Sequence, residues 1–320
     1  MAVYTHVDAG TLAALLLRYD IGTAVSFKGI AEGVENSNYL VETTRGRYFL
    51  TLYEKRVEAS DLPWFLALLT HCADAGLPVP RPIADRSGKA LQTVAGRPAC
   101  LIEFAVGVSV TEPTSAESYA VGAALGRFHH AVADFAIERP NALGPAGWAQ
   151  VAASCAGQLD QIEPGLEALL TDELTFLQKS WPTALPRSTI HADLFPDNVL
   201  MLGGKVTALI DFYFACTDLR AYDMAILIVA WSFSTDGRHF DPAIAAALLA
   251  GYSSTNALTD PELAALPILC RGAALRFALT RAFDWLNTPA DALVTRKDPM
   301  AFARRLTWYT SATPAQVIGA

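Results

Sequence analysis

One stretch limits what this chain can fold into: residues 189 to 212, TIHADLFPDNVLMLGGKVTALIDF. Two apolar runs, Val199 to Leu202 and Val206 to Ile210, flank Gly203-Gly204. That pattern spells two strands joined by a two-residue hairpin, entered through a polar loop. The frame fixes three oxygen-bearing side chains, Asp193, Asn198 and Asp211, with His191 two residues before the first. A carboxylate held in such a loop can accept a proton from a hydroxyl. Asp and Asn oxygens are also the ligands that a hard cation such as Mg²⁺ prefers. A loop that only caps turns has no need of all three groups at these spacings around a hairpin.

Composition bounds the rest. The 320 residues exceed what one small core usually takes, so two lobes are expected. With 52% hydrophobic and 18% charged residues the chain can bury large cores and is not a disordered segment. A net charge of −8 argues against general nucleic-acid binding but leaves room for a nucleotide, which needs only a local positive site and metal. Cys72, Cys100, Cys155, Cys216 and Cys270 are odd in number and scattered, a poor disulfide or zinc framework and a good set of buried thiols for a reducing cytoplasm. The N-terminus carries no basic-then-apolar leader. The longest apolar run, Met224 to Phe233, is about half of the ~20 residues a membrane helix needs, so no span and no membrane partner is expected.

Along the chain, Asp8 is placed to cap a helix through Leu12, Leu15, Leu16 and Tyr19. Strands follow at Val25 to Ile30, Asn38 to Glu42 and Arg47 to Tyr53; a helix runs from Asp61 to Ala75, and two more strands lie near Ala90 to Val94 and Pro98 to Phe104. The first 105 residues thus read as a five-stranded antiparallel sheet with one helix after the third strand. The link from Gly29 to Ser37 carries Gly29 and Gly33, whose backbone can approach a phosphate, although two glycines also suit an ordinary hairpin. From Thr114 the chain is helical. Thr114 and Glu117 form a capping box, and helices are expected over Trp148 to Leu170, Glu173 to Trp181 and Pro267 to Leu286, ending near Tyr309. His129 and His130 are adjacent on a helix and point about 100° apart, so packing suits them better than a shared metal. Asp223, in the first turn of the buried helix, can accept backbone N–H groups and brace a loop, a structural role.

H-x-D, an Asn five residues after the Asp, and Asp-Phe after a hairpin match the layout of a kinase catalytic loop. With GVENSNY at 33–39, YFLTLYE at 48–54, GLPVPRP at 76–82, IDFYFAC at 210–216 and YDMA at 222–225, the chain resembles the aminoglycoside-phosphotransferase-like small-molecule kinases, which share the protein-kinase fold. Within them it is most similar to the homoserine kinases of that fold. The resemblance implies an α+β, two-lobed fold: residues 1–105 as a nucleotide-binding N-lobe, 106–320 as a mostly helical C-lobe with catalytic loop and substrate pocket.

It also implies roles. Asp193 would be the catalytic base, with His191 and Asp223 as structural support, and Asn198 and Asp211 would hold Mg²⁺. Gly29, Gly33, Ser37, Thr51, Glu103 and Phe104 would meet ATP, the last two as a hinge whose backbone reads the adenine. Kinases place a Lys on the third strand; here Thr51 stands there, Lys55 lies past it, and Lys28 is a candidate replacement. Asp-Phe-Tyr in place of Asp-Phe-Gly suggests no activation-loop switch. The implied acceptor is the hydroxyl of L-homoserine, phosphorylated for threonine synthesis in the cytoplasm. Its ammonium and carboxylate would call on Asp218, Arg276 and Arg281, with Tyr213 as a wall. Choline, methylthioribose or an aminoglycoside as acceptor, and a non-catalytic nucleotide-binding scaffold, are the alternatives. Oligomeric state, monomer or dimer, is open.

Overall fold

The computed structural model describes residues 4–30, 36–54, 58–288 and 296–319. The chain divides into two compact units, Met1–Gly107 with Thr207–Tyr213, and Val108–Val206 with Phe214–Ala320.

In the smaller unit, α1 (Ala9–Leu16) is capped as its sequence demands, the Asp8 carboxylate accepting from Thr11 N–H at 2.8 Å. Strands β1 (Ala24–Gly29), β2 (Asn36–Thr43), β3 (Gly46–Tyr53), β4 (Pro82–Ile83), β5 (Leu91–Val94) and β6 (Arg97–Glu103) form one antiparallel sheet, ordered β1-β2-β3-β6-β4 with β5 also on β6. Helix α2 (Leu62–Asp74) follows β3. The sheet has six strands where the sequence suggests five. The extra one, β4, is two residues long, too short to show a period, and proline already makes it extended. Period-2 alternation sorts β3. Leu50 and Leu52 join α1's Leu12 and Leu16 in one core, while Tyr53 turns to the other face with Leu62 and Leu66 of α2.

In the larger unit, β7 (Val108–Ser109) precedes α3 (Ser115–Ala131), whose predicted Thr114/Glu117 capping box is present. Next come α4 (Pro145–Cys155) and α5 (Leu166–Ser180). The helix expected over 148–170 is thus broken. Gly157 and Gly165 both take left-handed backbone, at φ 74° and 87°, and stop it. Strand β8 (Arg187–Ile190) leads into the polar loop, then β9 (Val199–Leu202) and β10 (Lys205–Leu209). Between the last two, Gly203 and Gly204 sit at φ 57° and 75°, as a tight hairpin turn requires. Strand β11 (Cys216–Leu219) pairs with β8 and runs into α6 (Arg220–Trp231), every residue of which after Arg220 is buried.

Helices α7 (Pro242–Ser253), α8 (Asp260–Asn287), α9 (Met300–Tyr309) and α10 (Pro314–Ile318) complete the unit. α3 and α7 cross with their backbones touching: a Cβ on Gly122 would lie 2.0 Å from Leu248 O, and one on Gly251 2.0 Å from Tyr119 O. Helix α8 begins seven residues before the expected Pro267, because Thr259 and Glu262 cap it and the proline falls inside. It is long and apolar enough to cross a membrane, which the count of consecutive apolar residues missed. Of its most apolar window, 61% is buried within the unit, as in a core helix.

Candidate active site

The loop between β8 and β9 is held from beneath. Ala192 takes φ 62°, a left-handed conformation rare outside glycine, so something must stabilise it. The Asp223 carboxylate does so. It accepts from His191 N–H at 2.7 Å and Ala192 N–H at 2.8 Å. Asp223 lies in the first turn of α6 and is fully buried. His129 Nε2 approaches it at 3.0 Å, and the other ring nitrogen lies 2.8 Å from Tyr252 Oη. The close crossing of α3 and α7 makes this chain possible, since Tyr252 sits one residue after Gly251. Burial alone pushes the Asp223 carboxyl up, but the hydrogen bond and charge of His129, then His191, outweigh it and hold the group below the usual carboxylate range. From the other side, the Arg276 guanidinium donates to Ala192 O.

Asp193 follows, half-buried. Its N–H donates to His191 Nδ1 at 3.3 Å. The Asn198 amide donates to Asp193 O at 2.7 Å and to its carboxylate at 3.1 Å. Because Asn198 uses its NH₂ to hold Asp193, its side-chain oxygen is the atom left for a cation. Asp211, which belongs to the smaller unit, is exposed and takes φ 65°, a conformation that Asp tolerates better than most residues. Among the described residues no group of three His, Cys, Asp or Glu could hold a metal alone.

The smaller unit rearranges several expectations. Ser37 is fully buried and its hydroxyl is saturated: it accepts from Tyr4 and Thr5 N–H at 2.8 and 3.0 Å and donates to Glu54 at 2.6 Å. It ties the N-terminal segment to the sheet and has nothing left for a phosphate. Thr51, 4% exposed and opposite Cys100, donates to Asn38 at 2.9 Å. That hydrogen bond satisfies a buried polar group where a lysine would need an anion. Gly29 ends β1 and Lys28 is exposed on it; Gly33 and Lys55 lie outside the described residues. The N–H groups of Glu103 and Phe104 are engaged, to Arg81 O at 2.9 Å and Arg47 O at 3.2 Å, so only their carbonyls remain as hinge contacts. Tyr213 is partly buried against the Tyr53, Leu62 and Leu66 cluster, edge-on to both Tyr53 and Phe65 with ring centroids 5.8 Å away in each case.

Two of the expected acceptor ligands are also committed elsewhere. Asp218 accepts from Asn141 at 2.7 Å and from Leu219 N–H at 2.8 Å, fastening the loop before α4. Arg276 is 1% exposed and braces Ala192, its guanidinium 4.6 Å from the Phe277 ring. Arg281, five residues further along α8, holds its guanidinium 5.9 Å from the ring of the loop's Phe195. Sequence reasoning missed Tyr252 and Lys297, the latter paired with Asp197 at 3.1 Å. Neither has a local signature, since each meets its partner across 100 residues or more of chain.

Known proteins fit this architecture. The phosphotransferase enzyme family matches residues 26–261. The homoserine kinase of Gluconobacter oxydans is 53% identical over 315 residues, covering 98% of this chain and 99% of that protein. That of Granulibacter bethesdensis is 52% identical over 319 residues, covering 100% of both. Among solved structures, amicoumacin kinase with AMP-PNP, Ca²⁺ and amicoumacin superposes with TM-score 0.72 at 19% identity, covering 97% of this chain and 95% of that one. Spectinomycin phosphotransferase with ADP and spectinomycin gives 0.74 at 16% identity, covering 98% and 100%. At such identities these two establish the fold alone. By family match and full-length identity together, the chain belongs to the phosphotransferase enzyme family and, within it, to the homoserine kinases.

Proposed function

We propose that this chain transfers the γ-phosphoryl group of ATP to the side-chain hydroxyl of L-homoserine, giving O-phospho-L-homoserine for threonine synthesis. The observation that carries the proposal is identity above 50%, end to end, with homoserine kinases, in a chain whose Asp193 and Asn198 are held as a working pair. Asp193 orients the acceptor hydroxyl and takes its proton as the new O–P bond forms. Asn198 positions that carboxylate, and Asn198 Oδ1 and Asp211 are the oxygens assigned to Mg²⁺, which offsets charge on the phosphates. Residues 1–105 carry the nucleotide and 106–320 the acceptor, with Gly29, Gly33 and the Glu103 and Phe104 carbonyls on the nucleotide. The cytoplasm suits five buried free thiols.

The test is a coupled ADP-release assay with Mg-ATP against L-homoserine, L-serine, L-threonine, choline, methylthioribose and kanamycin. A rate on L-homoserine far above the others is the expected result. A faster rate on another acceptor replaces the substrate assignment and keeps the kinase. ATP binding with no turnover of any acceptor overturns the assignment as an enzyme of this panel and favours a scaffold.

A further inference from the structure

An amino-acid acceptor brings a carboxylate that must be met by a cation, and the arginines of the larger unit sort themselves by what they already hold. Arg271 is bidentate on Glu173, at 2.7 and 3.0 Å. Arg220 is bidentate on Glu262, at 2.7 Å twice. Arg276 and Arg305 are 1% and 5% exposed, on the backbone carbonyls of Ala192 and of Val229 and Ser234. Arg281 differs from all four. Among the described residues its one hydrogen bond is a long contact to Asp298 O, at 3.4 Å. The three nearby carboxylates each have another partner, Asp197 in Lys297 at 3.1 Å, Asp298 in Arg304 at 3.7 Å and Asp193 in the Asn198 amide at 3.1 Å. Most of a five-donor fork is therefore open to solvent in a partly buried setting, where a bound carboxylate can take it as a bidentate, charge-assisted pair.

Its position is fixed by aromatic packing. Phe277 and Arg281 are four residues apart on α8 and share a face. Phe277 meets Phe195 edge-on at 4.7 Å, and the Arg281 guanidinium lies 5.9 Å from the same Phe195 ring and 4.3 Å from that of Phe302. Phe195 is two residues past Asp193, and its N–H donates to Asp193 O at 2.8 Å. One rigid ring thus couples the cation to the loop that holds the base. We infer that Arg281 receives the α-carboxylate of the acceptor and so selects an amino acid over the corresponding amino alcohol. This rests on the acceptor assigned above. Burial also pushes the Arg281 pKa down to about 10, against the opposing pull of Asp197, Asp193 and Asp298.

The experiment compares L-homoserine with 3-aminopropan-1-ol, which lacks only the carboxylate, in the wild type, Arg281→Met and Arg281→Lys. The readout is the ratio of kcat/KM for the two acceptors, with the KM for ATP measured alongside. Arg281→Met is expected to lower the ratio by ~10- to 100-fold, the weight of a charge-assisted hydrogen-bonded pair, and Arg281→Lys to fall between. If Arg281→Met does not fold, the lysine variant carries the test, with a fall in the ratio still required. An equal loss on both acceptors, or a ratio that does not move, overturns the assignment while leaving the enzyme a homoserine kinase. A wild type inactive on L-homoserine overturns the acceptor and this inference with it.

Discussion

The underside and the rim of the catalytic loop use the same kinds of side chain to opposite effect. Beneath the loop, Asp223 is fully buried and satisfied by two backbone N–H groups and His129. At the rim, Asp197 pairs with Lys297 with side chains 59% and 63% exposed. Both are acid–base pairs within one unit. In the first, water is excluded, so a lost partner leaves charges or donors that nothing else can satisfy. In the second, water and salt replace the partner at little cost. The difference teaches where the loop's geometry is determined: from inside, by a fully buried carboxylate, while the pair at the rim is open to solvent.

Three substitutions grade that contrast. Asp193→Asn, at the loop's working face, is expected to lower kcat by ~10² to 10⁴-fold with the melting temperature nearly unchanged. Steady-state kinetics and thermal denaturation together check it. A stability loss instead would mean that Asp193 belongs with the buried underside. Asp223→Asn sets an amide NH₂ against groups that already donate and is expected to cost about 3 kcal/mol of stability, read by denaturant unfolding.

The same group has a pH signature. Its carboxyl is held low in the folded state, so its stabilisation is fully present above the unfolded value of about 4 and disappears as pH falls through the lower folded pKa. The wild type should lose stability across that acid window, and Asp223→Asn should show a flatter profile there. An identical acid profile in both would show that Asp223 is not the brace. The smallest effect is expected from Lys297→Ala, less than ~1 kcal/mol in the same unfolding assay, shrinking further in high salt. A larger loss would erase the distinction between rim and underside.

The elements around the site were largely legible. Gly203-Gly204 between two apolar runs, the Thr114/Glu117 box and the Asp8 cap each state their conformation locally, through backbone freedom or a donor–acceptor match within three residues. Asp223 was legible as an acceptor of backbone N–H groups, although those it meets are His191 and Ala192 of the loop rather than the first turn of its own helix. Ser37, Asp218 and Arg276 were not, although each is a residue type at home in a ligand site. Whether a polar side chain meets a ligand or its own fold depends on which distant groups the packing brings to it. Ser37 finds Thr5 across 32 residues, Arg276 finds Ala192 across 84, and no period or spacing records either meeting.

What the sequence by itself determined is the frame and the chemistry: a kinase-type loop, its hairpin, the oxygens of Asp193, Asn198 and Asp211, and the absence of a third-strand lysine. These are local facts, set by residue type, dihedral preference and short spacing. Only the tertiary structure decided which charges are consumed in holding the loop and which remain available, because that outcome turns on burial. A guanidinium against a backbone carbonyl in a dry interior is committed, as Arg276 is. One with most of its donors open, held 4.3 Å from an aromatic ring near the Asp193 loop, as Arg281 is, is uncommitted to the fold among the described residues.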